Sequence, residues 1–237
     1  MATERLAIPA ALPEGLLLPR LGFGLGRTAR AELAYAAAKR ALDLTAAAVL
    51  LVLLAPVLLA IVVAIWLDDR DSALYRQERV GLNGRPFTLV KFRSMRKGAD
   101  RTPHLAFVQS LLRDGAAPCQ VYKVANDRRI TRVGGFLRRS SLDELPQLWN
   151  VLRGEMSLVG PRPDVPYAVA EYADWMHARL SVKPGITGLW QVSGRSRVSL
   201  HDMYRLDSEY VEDASLGRDI AILLRTVPAV LRRDGAA

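Results

Sequence analysis

Residues 44–67 form a run of 24 positions without a charged side chain, divided by Pro56. A stretch this apolar must leave water, so it limits the available folds more than any other feature. Fifteen of its residues are Leu, Val or Ile, worth about −5 to −9 kcal/mol of insertion before any cost is counted. The run begins too late and lasts too long for a secretory signal. One continuous helix of 24 residues would reach about 36 Å and cross a hydrocarbon core of about 30 Å. Alternatively, Pro56 separates arms of 12 and 11 residues, each about 17–18 Å long, or roughly half the core depth. Proline deletes a helix hydrogen bond and favours a bend. Arg27, Arg30, Lys39 and Arg40 precede the run, and Arg70, Arg76 and Arg79 follow it. Positive charge at both ends gives no orientation for a span but suits a hairpin whose ends are both cytoplasmic.

The chain has 237 residues, enough for one domain plus an attachment, and a formal net charge of +9. Nucleic acid, an anionic membrane and phosphorylated substrates would each account for that charge. The apolar run and the lack of any nucleic-acid motif exclude nucleic acid as the partner. Cys119 is the only cysteine, and His104, His177 and His201 show no ligand spacing, so neither a disulfide nor a zinc cage is expected.

Residues 1–38 mix Pro, Gly, Ala and Arg and read as a flexible tail; residues 39–68 hold the membrane segment; residues 69–237 form the cytoplasmic domain. Two β-like runs, 73–80 and 87–92, flank Gly81-Leu82-Asn83-Gly84, a hairpin signal. The second run leads into Lys91-Phe92-Arg93, with two cations at alternating positions. A short helix is expected around 105–112, and helical spacing recurs at Leu145, Leu148, Trp149 and Leu152. Val165, Val169, Tyr172 and Met176 continue it, and a last helix is expected over about 216–231. The last two stretches border apolar faces with arginine and aromatics, which suits a bilayer interface or a buried core face. The fold class is therefore α+β: a mostly helical cytoplasmic domain with a small β-hairpin, a membrane helix and interfacial amphipathic helices.

Chemistry concentrates at Ser140-Ser141-Leu142-Asp143-Glu144-Leu145-Pro146. Two adjacent carboxylates stand at an expected helix start, and Ser141-x-x-Glu144 matches a capping box. Arg128, Arg129, Arg132, Arg138 and Arg139 precede them; Arg153 and Arg162 follow. Among so many cations an acidic pair reads as a phosphate-handling site whose acids stay ionised. The alternative is that both acids only cap the helix. Gly160-Pro161-Arg162-Pro163 is a stiff turn that would hold one guanidinium fork in a fixed direction. Lys183-Pro184-Gly185-Ile186-Thr187-Gly188-Leu189-Trp190, ending at Arg195, suits a nucleotide or sugar loop, and equally an ordinary connection.

In order along the chain stand Lys39-Arg40-Ala41-Leu42-Asp43, Gln77-Glu78-Arg79-Val80-Gly81 with Asn83-Gly84, and Lys91-Phe92-Arg93-Ser94-Met95. Ile130-Thr131-Arg132-Val133-Gly134, the Ser141 to Asn150 stretch, Gly154 to Pro163 and Lys183 to Arg195 follow. Over about residues 38–232 the sequence resembles the bacterial sugar transferases that act on polyprenyl phosphate, the monotopic phosphoglycosyl transferases. The resemblance implies transfer of a sugar 1-phosphate from a UDP-sugar to polyprenyl phosphate, with release of UMP and a need for Mg²⁺. It makes Asp143 the nucleophile and Glu144 its acidic neighbour. Lys91, Arg93, Arg138, Arg162 and Arg195 are the matching candidates for phosphate binding, and Asp143 is also the candidate metal ligand. It implies a re-entrant helix at the cytoplasmic face of the bacterial inner membrane, in contact with its lipid; a homo-oligomer is compatible with it.

Two departures stand out. Relatives break the membrane helix at Ser-Pro, where this chain has Ala55-Pro56, and Arg128 stands where relatives often carry proline. Many relatives have further transmembrane helices ahead of the domain, and the sequence reads as lacking them. The 190–195 stretch looks closer to relatives that transfer hexose phosphate than to those acting on modified amino sugars. Alternative readings are a single-displacement phosphotransferase in which Asp143 only holds the metal, and a non-catalytic membrane scaffold.

Overall fold

The structure, a computed structural model, describes residues 28–96, 98, 129–194 and 198–231. Its first feature is a bent helix pair. Helix α1 (Ala29–Leu53) opens on Thr28, whose hydroxyl accepts from the Ala31 amide. Helix α2 (Ala55–Asp69) follows at 62°. Residues 29–38, read above as flexible tail, are thus already helical. Among the described residues no single helix is long and apolar enough to cross a membrane, but the bent pair together passes that test. The break lies at Leu54 (φ −90°, ψ 0°), two residues before Pro56, which occupies the first turn of α2. That position follows from Pro56 itself: it has no N–H for the Val52 carbonyl and its ring crowds the preceding turn. Ala55 supplies no hydroxyl here, and Leu54 keeps its own bond to the Leu50 carbonyl at 2.9 Å.

Both arms are rooted in the same folded domain. Ala47 of α1 joins a core of Leu89, Leu148, Val151, Met156, Leu158 and Val159; Ile61 and Ile65 of α2 pack with Phe92 and Leu137. The rooted positions recur four apart, one face of each helix. Val52, Leu53, Leu59, Val63 and Leu67 stay exposed.

Strands β1 (Leu74–Val80) and β2 (Pro86–Phe92) form the expected antiparallel hairpin, with Tyr75 opposite Lys91 and Val80 opposite Pro86. At its tip Asn83 takes φ 55° and Gly84 φ 73°, the left-handed conformations that Asn and Gly tolerate best. Helix α3 (Arg132–Ser140) starts on Thr131, whose hydroxyl accepts from the Gly134 amide at 3.0 Å. Gly134 has no alternative: a Cβ there would stand 2.1 Å from the Ser94 carbonyl oxygen.

Helix α4 (Gln147–Arg153) leads through Gly154 to a second sheet absent from the sequence reading. It consists of β3 (Ser157–Val159) and β4 (Gly185–Thr187), parallel and three residues each. The stretch 165–180, expected as one amphipathic helix facing the interface or a core, is instead helix α5 (Pro166–Val169) and a 3₁₀ segment (Asp174–Ser181). Val165, Ala168 and Leu180 are buried, so its apolar residues serve the core. Helices α6 (Leu189–Ser193), α7 (Leu200–Glu212) and α8 (Leu216–Leu231) complete the described chain. On α8, Ile220, Leu224, Val227 and Leu231 are exposed on one face, the first of the two arrangements read for that helix. The helix expected around 105–112 lies outside the described residues.

Candidate active site

Asp143 is not at the start of a long helix. Ser141 ends α3 in the left-handed conformation (φ 58°, ψ 15°), donating its amide to the Arg138 carbonyl. That turn reverses the chain, and Leu142–Glu144 forms a 3₁₀ turn ahead of α4, whose first-turn neighbour is Pro146. Ser141 makes no side-chain cap bond, so the expected capping box is absent. The carboxylates are held by a reversal between two helices, and Asp143 is buried by it.

Lys91, Arg138 and Arg162 all act on that carboxylate, with Glu144 beside it. Each arrives from a different element. Arg138 comes from the last turn of α3. Lys91 sits near the end of β2, which Asn150 of α4 binds edge-on: its Oδ1 accepts from the Val90 amide at 3.1 Å and its Nδ2 donates to the Thr88 carbonyl at 2.7 Å. Glu155 steadies the same Nδ2 at 2.7 Å. This locks the strand carrying Lys91 to the helix that follows Asp143. Arg162 extends from the Gly160–Pro163 turn after β3 and pairs with Glu144 at 2.6 Å.

The Arg93 guanidinium pairs with Asp71 at 2.9 Å. Arg195 and Arg128 lie outside the described residues. Arg132 stands at the far end of α3 from Arg138.

Burial outweighs the cations. It raises the Asp143 carboxyl to about 6, with Glu144 adding to the rise and Lys91, Arg162 and Arg138 opposing it. The sequence expectation of a carboxylate favoured by surrounding arginines is therefore corrected in direction: it counted charges and had no measure of desolvation. The group is still largely ionised at pH 7. Burial likewise lowers the Lys91 ammonium to about 8, helped by Arg79 and Arg162. If ionised Asp143 attacks and charged Lys91 binds phosphate, kcat/KM falls as pH drops through about 6 and as it rises through about 8. Lys91→Arg should extend the alkaline limb upward; a profile flat between pH 5 and 9 would remove both groups from the reaction.

The Lys39-Arg40-x-x-Asp43 motif, read as a border of the apolar run, is also a clamp on the domain. Asp43 Oδ1 accepts from the Ser157 hydroxyl (3.0 Å) and the Leu158 amide (2.9 Å). Lys39 donates to the Val159 carbonyl (3.0 Å) and pairs with Asp219 (2.8 Å); Arg40 donates to the carbonyls of Val151 (2.7 Å) and Leu152 (3.0 Å). Helix α1 thus grips β3, which leads directly into the Arg162 turn. Trp190, in the stretch read as a ligand loop or equally an ordinary connection, packs with Leu200, Met203 and Tyr204. Gly185 and Gly188 let β4 approach Gly160, since a Cβ on either would stand within 2.5 Å of its backbone.

Among the described residues no three His, Cys, Asp or Glu side chains converge as a metal cage. The adjacent Asp143–Glu144 pair fits an ion held by one or two carboxylates and the substrate's own phosphates, as magnesium commonly is.

The sequence profile described as bacterial sugar transferase matches residues 34–233. The chain is 47% identical over 204 residues to the UDP-galactose-lipid carrier transferase of Erwinia amylovora, covering 84% of this chain and 41% of that protein. It is 44% identical over 210 residues to the UDP-glucose:undecaprenyl-phosphate glucose-1-phosphate transferase of Caulobacter vibrioides, covering 84% and 71%. With the exopolysaccharide production protein ExoY of Rhizobium meliloti it shares 40% over 203 residues, 84% of this chain and 88% of ExoY. It spans about two fifths of the length of several relatives, yet nearly all of ExoY. A profile match over almost the whole chain and a relative matched nearly end to end place this protein in the bacterial sugar transferase family.

Proposed function

We propose that this protein transfers a hexose 1-phosphate from a UDP-sugar to polyprenyl phosphate, releasing UMP, and so begins assembly of an exopolysaccharide. The observation that carries this reading is the buried Asp143 beside the Glu144–Arg162 pair, with Lys91 and Arg138 converging on it. The relatives' names support the substrates: UDP-galactose and a lipid carrier in one, UDP-glucose and undecaprenyl phosphate in another.

In this reading an Asp143 carboxylate oxygen attacks the phosphorus that bears the sugar. The bond from that phosphorus to the bridging oxygen breaks, UMP leaves with the electron pair, and an acyl phosphate remains on Asp143. A phosphate oxygen of the lipid then attacks the same phosphorus, and the Asp143 oxygen departs as a free carboxylate. Lys91 and Arg138 hold the transferred phosphoryl oxygens, and Arg162 orients Glu144. Asp143 or Glu144 would hold a magnesium ion together with the substrate phosphates, and that ion would neutralise the charge that develops on UMP. UMP release from UDP-galactose or UDP-glucose with undecaprenyl phosphate and Mg²⁺ tests the reading. UMP release that strictly requires the lipid acceptor supports the single-displacement alternative, in which Asp143 only holds the metal, and none with any UDP-sugar leaves a scaffold.

The bent helix pair is read as re-entrant, at the cytoplasmic face of the inner membrane. Lys39, Arg40 and Asp43 tie the start of the apolar run to the domain, and Asp68 Oδ2 accepts from the Val133 amide at its end, 3.0 Å away. Both ends therefore share one side. From residue 44 to the break at 54 the helix rises about 15 Å, half of a core of about 30 Å. The exposed face of α8 suits the adjoining interface. Arg30→Cys and Arg85→Cys, each in a Cys119→Ser background, should both resist an impermeant thiol reagent in intact cells. Labelling at position 30 alone would establish a full span.

A further inference from the structure

The carbonyls of the Gly160–Pro163 turn are held by neighbouring donors, and the group that holds the carbonyl of Arg162 is itself a buried arginine. Arg179 Nη2 donates to the Arg162 carbonyl oxygen at 2.6 Å. Burying a guanidinium is costly unless its charge and all its donors are matched. Here they are. Nη1 pairs with Asp164 at 2.5 Å, and Nη2 and Nε reach Asp207 at 2.7 and 3.1 Å. The Tyr172 hydroxyl lies against Nη1 and donates to Asp164 at 2.7 Å; Tyr204 donates to the same Oδ2 at 2.8 Å. The guanidinium also stacks 4.7 Å from the Tyr204 ring centroid.

Neighbouring bonds fix the rest of the turn. The Val159 carbonyl accepts from Lys39, the Pro161 carbonyl from the Gly185 amide (2.8 Å), and the Pro163 carbonyl from Arg79 (2.9 Å). The Asp164 carbonyl accepts from the Val80 amide at 2.9 Å. With its carbonyls turned inward, the turn presents the Arg162 side chain outward to Glu144.

We infer that Arg179 is a positioning residue for the transfer reaction, aiming Arg162 at the Asp143–Glu144 pair without touching substrate. The ion pairs with Asp164 and Asp207 do not by themselves require an Nη2 N–H on the carbonyl of Arg162, the arginine that pairs with Glu144. The inference rests on the functional reading above, and Arg162 is the residue through which it acts.

A double-mutant cycle tests it. A lysine at 179 presents one ammonium in place of a three-way fork. Folded Arg179→Lys should lose about 100-fold in kcat, the scale of an ångström-level misplacement. The double variant with Arg162→Lys should be little worse than the worse single variant, because both remove the same contact. Amide exchange supplies a readout that needs no turnover. Arg179→Lys should speed exchange across 160–164 selectively, whereas Arg162→Lys should leave those amides protected. If Arg179→Lys does not fold, Tyr172→Phe leaves the ion pairs in place and should give smaller losses with the same non-additivity and the same local exchange.

Losses that multiply in the double variant, or exchange that rises uniformly over the domain, would make Arg179 purely structural. Wild-type protein that releases no UMP would sink the functional reading, while selective exchange at 160–164 would still decide the positioning.

Discussion

Asp143→Asn should abolish UMP release, by at least about 10⁴-fold, and should make the protein more stable above pH 6. The two effects share one cause. Folding buries a carboxylate and lifts it from an ordinary 3.8 to about 6. Because the folded value is raised, the native state binds the proton more tightly than the unfolded chain does. The carboxylate therefore costs nothing below about pH 4, costs progressively more between 4 and 6, and reaches its full cost above 6. That cost is about 3 kcal/mol at most, from the conversion of 1.36 kcal/mol per pH unit. Asparagine carries no charge to desolvate, so the variant's gain in Tm should follow the same pH course. A carboxylate placed for structure alone would destabilise when removed. Thermal unfolding of both proteins between pH 4 and 8 checks the stability half. Asp143→Asn with more than about a hundredth of wild-type turnover would contradict the catalytic half.

Gly185→Ala should be nearly as damaging by a different route. A Cβ there would meet the Gly160 amide nitrogen at 2.1 Å and the Thr187 carbonyl at 2.5 Å, both backbone atoms that cannot swing aside. Relief requires β3 and β4 to part, and β3 runs straight into the turn that carries Arg162. The expected loss is about 3 kcal/mol, at the upper end for overpacking. Activity should fall in the folded fraction as well, since the Arg162–Glu144 contact moves with the strand. Gly217→Ala is the control. Nothing lies within 4 Å of its missing Cβ, and in helix α8 it should stabilise by about 0.5–1 kcal/mol. Equal effects from the two substitutions would show that β3–β4 proximity does not govern the site.

What could be read from the sequence was whatever leaves a local signature. The hairpin followed from alternation on either side of Gly81-Leu82-Asn83-Gly84, and the last helix from Ile220, Leu223, Leu224, Val227 and Val230 at helical spacing. The acidic pair and Lys91, Arg138 and Arg162 were visible as chemistry, and the structure gathers them. Arg93 was equally visible and is bonded to Asp71, a pairing that two charges 22 positions apart do not announce.

The parts missed depend on contacts remote in the chain. Strands β3 and β4 have three residues each, too few to show a period of two, and they pair across 25 intervening residues, 160–184. Arg179 lies in a stretch whose apolar spacing reads as one amphipathic helix, so its burial with Asp164 and Asp207 could not be seen. Lys39, Arg40 and Asp43 looked like charges bordering a membrane run; only the fold shows them bonded to β3, α4 and α8. Ser141-x-x-Glu144 had the pattern of a capping box, but a left-handed Ser141 ends one helix instead of opening the next. The rise at Asp143 was out of reach because it comes mainly from desolvation, which composition does not record.

The central claim is that Asp143 carries the sugar phosphate between donor and acceptor. Its most direct test is peptide-level mass spectrometry of the protein quenched after incubation with UDP-galactose or UDP-glucose and Mg²⁺, in the absence of polyprenyl phosphate. A hexose-phosphate adduct on Asp143, formed with a matching burst of UMP and lost when the lipid is added, is the predicted result. An adduct on another residue, or UMP release that occurs only when the lipid acceptor is present, would contradict it.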